Sequence, residues 1–232
     1  MNQAVALVTG FEAYGGRGLN PSGEVVKRLE GTEIQAVRIA GRVLPVSFRL
    51  LHQRVAEILR GLDPVLVLSL GLWPGEATIR LERTAVNLAD FEIPDNEGAY
   101  LRDTPLETGA PYASPSRLPL REIERALLDA GIPARLSDTA GTFLCNATLY
   151  SFLQARPDVP CGFVHVPYLP EQVADLLRQT REERTLEVHQ RADLASMHIT
   201  TMVEAVRIVL ATSFRTLQGG ILPEKGTVSP RG

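Results

Sequence analysis

Three side chains of this 232-residue sequence stand where they could make and serve a nucleophile. Cys145 lies in AGTFLCNATLY (140–150), behind the turn-forming residues Ser137 to Thr142 and within the first turn of a helical pattern. Backbone N–H groups at a helix start favour an anion and lower a thiol pKa from ~8.5 toward ~3.5–7.5 in activated cases, so the position predicts a thiolate. His165 interrupts the apolar run GFVHVP (162–167) close to the C-terminal end of a predicted strand. Open α/β sheets gather ligands and catalytic groups at that edge. Glu82 stands inside the strand-like IRLERTAVN (79–87). A carboxylate there is costly unless paired, and one use for it is to orient an imidazole that activates a nucleophile. Cys, His and Glu make a chemically sufficient set whose order along the chain is uninformative, because triads are recognised by geometry.

Each residue also has a plainer reading. Cysteine is among the most buried residue types, so taken alone Cys145 reads first as a small core hydrophobe. His165 reads as a satisfied core histidine, and Glu82 as the ion-pair partner of Arg80 or Arg83. His52, His189 and His198 sit in helical or connector contexts and read as surface or packing residues. Cys145 and Cys161 are the only cysteines, too few for a disulfide framework, and both read as free thiols of a reducing cytosol.

A glycine-rich loop, TGFEAYGG (9–16), follows the first apolar run. Gly10 and Gly15 have the spacing of a phosphate loop, but Gly16 and Arg17 stand where its lysine and hydroxyl belong, and no GxGxxG is formed. The loop is therefore expected to bind something other than phosphate.

The elements that must position these groups alternate between β-rich and helical patterns: VALVT (5–9), PSGEVVKRLEG, IQAVRI, SFRLLHQRVAEILRGL and PVLVLSLG (64–71). That order predicts an α/β fold. Asn20-Pro21 supplies a cap and a first-turn proline for the first helix. Phe48, Leu51, Val55, Ile58, Leu59 and Leu62 share one face of the second and read as core. Residues 89–118, rich in Pro, Gly and Asp, form a long loop expected to be functional or mobile. Beyond it come a helix in PLREIERALLDAG, a strand in IPARLSD, the Cys145 helix, the His165 strand and a helix over 170–178. The charged run RQTREERTLEVHQRAD reads as a solvated connector and 200–213 as a terminal amphipathic helix. One domain over 1–214 is expected, with a disordered tail over 215–232.

Hydrophobic residues at 44% and charged ones at 22% are globular values. A net charge of −3 offers no field to gather nucleic acid or anionic membrane. No segment has signal-peptide or membrane-spanning character, so a cytoplasmic protein is expected.

Four ordered blocks give these residues a resemblance: TGFEAYGG with Asn20-Pro21-Ser22, IRLERTAVN with IPDNEG, SDTAGTFLCNATLY, and GFVHVPYLPEQ. Together they resemble the pyroglutamyl peptidases, also called pyrrolidone-carboxylate peptidases, cysteine peptidases that remove an N-terminal pyroglutamyl residue. The resemblance implies a single-domain three-layer α/β/α sandwich with a mixed twisted sheet. It also implies Cys145 as nucleophile, His165 as general base and Glu82 as orienting carboxylate, with no cofactor and no metal. Phe11, Tyr14 and Phe143 would wall a lactam pocket, with backbone groups near Asn20 and Leu72 binding its polar edge. Peptides with N-terminal pyroglutamate are the implied partners, and a homotetramer the implied assembly. Two stretches depart from the family pattern: LWPGE (72–76), where many bacterial members are glycine-rich, and Glu92, where many carry arginine. A noncatalytic lactam- or peptide-binding relative and a nucleoside phosphorylase-like enzyme are the alternative functions.

Overall fold

Short apolar runs closed by polar turns build the central sheet, and amphipathic stretches between them cover it. In the computed structural model, which describes residues 3–184, 187 and 190–219, the order is β1 (Val5–Phe11), α1 (Pro21–Leu29), β2 (Glu33–Ile34), β3 (Val37–Leu44), α2 (Phe48–Gly61), β4 (Leu66–Leu72) and β5 (Ile79–Val86). It continues with β6 (Ala113–Pro115), α3 (Leu120–Asp129), β7 (Ala134–Thr139), α4 (Leu144–Ala155), β8 (Cys161–Val166), α5 (Pro170–Glu183) and α6 (Ile199–Gln218). The sheet runs β2-β3-β1-β4-β8-β5-β6, with β7 also paired to β5. Strands β3, β1, β4 and β8 are parallel, and β5 lies antiparallel to β8. The result is the single-domain α/β fold that the element order predicts, with the mixed sheet that the family resemblance implies.

Period-two alternation divides the strand side chains between two cores. Leu66, Leu68 and Leu70 of β4, Ile79 and Leu81 of β5, and Val164 and Val166 of β8 pack with α1, α3 and α6. Val67, Ala85, Cys161 and Phe163 pack on the other face with α2 and α4. The same alternation turns Gly71, Arg80, Glu82 and His165 toward α4. Thus the sheet's pleat, before any specific contact, brings the candidate residues to one face.

Asn20 caps α1, its Oδ1 accepting from Ser22 N at 3.1 Å, and Ser47 caps α2 by accepting from Leu50 N. The predicted stripe from Phe48 to Leu62 joins the α2–α4 core. Several boundaries differ from expectation. The single strand expected in IQAVRI is a tight β2–β3 hairpin, turned at Gln35 (φ 50) and Ala36 (φ 65). Helix α5 extends to Glu183, into the expected connector, and α6 to Gln218. His189 and residues 220–232 of the expected tail lie outside the described residues. Among the described residues no helix is long and apolar enough to cross a membrane.

Residues 89–118 are held rather than loose. Phe91 is fully buried, and Asp95 accepts hydrogen bonds from Phe48 N, Glu97 N and Ala99 N at 2.8–2.9 Å. Asn96 donates to Glu12 Oε1 and to the Ala13 carbonyl, tying IPDNEG to the glycine-rich first loop. Two blocks distant in sequence therefore form one rim.

Candidate active site

Cys145 is the second residue of α4, whose N-cap Phe143 makes no side-chain capping bond. The first amides of a helix have no intrahelical acceptor, so those around Cys145 are free to meet an anion. The neighbouring Asn146 fixes this helix start to the end of β5: its Oδ1 accepts from Val86 N (2.8 Å) and its Nδ2 donates to the carbonyls of Val86 (2.8 Å) and Leu88 (3.0 Å). Asn146 is fully buried and every one of these bonds is to backbone.

Across from the thiol, His165 is next to the last residue of β8 and pairs in register with Gly71 of β4. A methyl group at Gly71 would lie 2.7 Å from Cys145 Sγ and 3.0 Å from His165 Cδ2. The absent side chain is what leaves room for sulfur and imidazole to be neighbours. His165 Nδ1 lies 2.8 Å from Glu82 Oε1, both residues being buried to 1% exposure or less. The antiparallel β5–β8 pairing sets this contact, with Glu82 opposite Phe163 and Arg80 opposite His165.

The electrostatics correct one expectation. Burial first, and then the Glu82 charge, push the Cys145 thiol up to about 12, so the resting group is a thiol and not the thiolate predicted from its helix start. Desolvation also lowers His165 below the ordinary histidine value, against the raising effect of Glu82, and keeps the imidazole neutral. A neutral thiol facing a neutral imidazole is the resting pair. The carboxylate whose charge raises the thiol pKa is Glu82.

Glu82 contacts both the imidazole and an arginine. Its Oε1 accepts from Arg80 Nε at 3.1 Å as well as contacting His165, while Oε2 is buried without a hydrogen-bond partner. Arg80 in turn donates from Nη2 to Ser137 Oγ (2.6 Å), and its guanidinium lies 3.7 Å from the Trp73 ring centroid. Trp73 meets the His165 ring edge-on at 5.0 Å. The unusual LWPGE stretch thus supplies an aromatic plate covering the Arg80–Glu82–His165 line. Arg83, the other suggested partner, is exposed and pairs with Asp138.

Two cavities open at Cys145. The smaller is lined by Phe11, Tyr14, Asn20, Leu72 and Phe143 together with Val46 and Leu144. All five residues expected around a lactam are therefore brought to one place beside the sulfur. Gly15 (φ 61) and Gly16 (φ 74) turn the first loop so that Tyr14 faces Phe143 at 6.3 Å. Asn20 spends its amide on the α1 cap and on the Glu12 carbonyl, leaving backbone groups for a ligand. The larger cavity, about 380 Å³, reaches His165, Trp73 and Glu92.

The remaining candidates stay apart. Cys161 is fully buried with Sγ 3.7 Å from the Phe152 carbonyl. His52 is exposed on α2, and His198 caps α6 by accepting from Thr200 N. Sequence reasoning missed Asn146, Gly71 and the Arg80–Trp73 contact. Only Asn146, a buried-side polar residue directly after the cysteine, offered a local signal.

A thiol at the mouth of an aromatic cavity, with a buried imidazole–carboxylate pair nearby, fits the class of cysteine-dependent hydrolases. Comparison with known proteins narrows the class: residues 4–216 match the family described as pyroglutamyl peptidase, and the chain belongs to that family. It is 43% identical over 173 residues to the pyrrolidone-carboxylate peptidase of Pyrococcus furiosus, covering 73% of this chain and 83% of that protein. The Yersinia pestis (strain Pestoides F) protein of the same name is 42% identical, with 73% and 80% covered. Among solved structures, the pyrrolidone carboxyl peptidase of Thermococcus litoralis superposes with a TM-score of 0.87 at 33% identity, over 97% of this chain and 100% of that one.

Proposed function

We propose that this chain hydrolyses the peptide bond after an N-terminal pyroglutamyl residue, with Cys145 as nucleophile, His165 as proton carrier and Glu82 as the carboxylate that orients it. The observation that carries the reading is the buried Glu82–His165 pair opening onto Cys145 beside an aromatic cavity. Flat rings suit a flat, mostly apolar lactam. As sulfur attacks the pyroglutamyl carbonyl, its proton passes to His165, and Glu82 stabilises the imidazolium that forms. The first amides of α4 face the oxyanion. His165 then protonates the departing amine, leaving a thioester that water, deprotonated by His165, hydrolyses to free the thiol and pyroglutamate.

The test is hydrolysis of a chromogenic pyroglutamyl amide beside the matching prolyl and glutamyl amides. Only the first is expected to turn over. Equal cleavage of the prolyl amide, or no cleavage of the pyroglutamyl one, overturns the reading.

Glu82→Gln separates the two roles of the carboxylate. Removing its charge lifts one of the two causes that hold the thiol pKa up, so iodoacetamide alkylation of Cys145 moves to lower pH. Turnover moves the other way, falling about 10²–10⁴-fold because the imidazole loses its orienting partner. His165→Ala falls further still, since it removes the group that moves the proton. A Glu82→Gln enzyme matching the parent in both alkylation profile and turnover reduces Glu82 to an ion-pair partner of Arg80.

A further inference from the structure

The small aromatic cavity does not account for all of the opening at Cys145. His165 lines the larger cavity and not the smaller one. A substrate whose acyl residue fills the smaller space must send its departing amine past His165, and hence the rest of the peptide into the larger space. Apart from His165, the ionisable side chains lining that space at neutral pH are Asp90 and Glu92, both acidic. Asp90 is offset by Arg102 at 3.0 Å. Glu92 is exposed and, among the described residues, makes no ion pair or hydrogen bond. Beside it Ile93 is 42% exposed, and Trp73 and Pro74 also line the space. The cavity therefore combines apolar surface with one uncompensated carboxylate.

We propose that this larger cavity is the leaving-group subsite and that it selects pyroglutamyl peptides whose next residue is lysine or arginine, the aliphatic stem lying along Ile93, Pro74 or Trp73 and the cationic head meeting Glu92. The proposal rests on the pyroglutamyl peptidase reading above and adds the class of peptide. Long cationic side chains bury their stems on apolar surface while their heads stay wet, which suits an open cavity with a carboxylate in its lining. A pyroglutamyl peptide carries no charged N-terminus, so the next side chain is the first group able to use that charge. An acidic residue in the same place faces Glu92 across a solvent-open gap and is disfavoured.

The experiment compares kcat/KM for three peptides, pyroglutamyl-Lys-Ala, pyroglutamyl-Ala-Ala and pyroglutamyl-Glu-Ala, with pyroglutamate release followed by chromatography. A partly exposed charge pair changes a rate constant about two- to fivefold, so attraction for Lys and repulsion for Glu together give a ratio of about tenfold at low ionic strength. Glu92→Gln brings the Lys to Glu ratio toward one, Glu92→Arg inverts it, and added salt compresses it in the parent. Equal rates on all three peptides in the parent, or a Lys preference that survives Glu92→Arg, overturn the subsite while leaving the peptidase reading standing. No cleavage of any of the three overturns both.

Discussion

Cys145→Ser is expected to fold as the parent does and to lose about 10³-fold or more of turnover on a pyroglutamyl amide, the scale of removing the nucleophile from a catalytic set. The thiol is held up to about 12 by burial and by Glu82, yet a serine hydroxyl in the same place is far harder to ionise and less nucleophilic. The neutral resting pair sharpens the argument. With no preformed thiolate, sulfur must give its proton to His165 during attack, and a more basic oxygen raises the barrier of that step. Cys161→Ser is the matched control. Its sulfur is fully buried 3.7 Å from a carbonyl that a hydroxyl can also use, so it costs about 1 kcal/mol of stability with turnover kept. Full activity in Cys145→Ser, with an unchanged circular dichroism spectrum, ends the assignment of Cys145 as nucleophile.

What could be read from the chain was the local part of this arrangement. The turn before α4 and the apolar run around His165 each declare themselves within a dozen residues. That Glu82 and His165 touch, 83 residues apart, depends on β5 lying antiparallel beside β8, and no local pattern names a strand's partner. The thiolate expectation failed for the same reason. A helix start is visible in sequence, whereas the burial and the Glu82 charge that outweigh it come from tertiary neighbours.

Two further segments were hard to read from the sequence, for distinct physical reasons. The β2–β3 hairpin turns at Gln35-Ala36, with none of the Gly, Asn or Asp residues that mark such turns, so IQAVRI looks like one strand. Residues 89–118 have the composition of a loop and no periodicity, yet single anchors such as Phe91 and Asp95 hold the segment without any repeating pattern. Trp73 was visible only as a departure from family pattern; its place over Arg80 and against His165 required the fold.

Gly71→Ala tests the packing idea on which the site depends, and turnover is expected to fall at least about 10²-fold. Gly71 is not in a left-handed conformation, so alanine suits the β4 backbone and the effect is steric alone. The new methyl group would stand 2.7 Å from Cys145 Sγ, 2.9 Å from Phe163 Cζ and 3.0 Å from His165 Cδ2. Something must yield. Phe163 is fully buried on a central strand and His165 is tied to Glu82, whereas Sγ ends a short side chain with one free torsion. The sulfur turns away from the imidazole, which relieves the clash and separates nucleophile from base. Overpacking of this kind costs about 1–3 kcal/mol, so Tm falls by several degrees while the fold persists. Gly162→Ala distinguishes displacement from general destabilisation: its methyl would crowd Leu118 and Ser116, away from the thiol, and should lower Tm without a comparable loss of kcat. If Gly71→Ala keeps the parent's kcat at a similar loss of Tm, sulfur and imidazole do not need the gap that the glycine leaves.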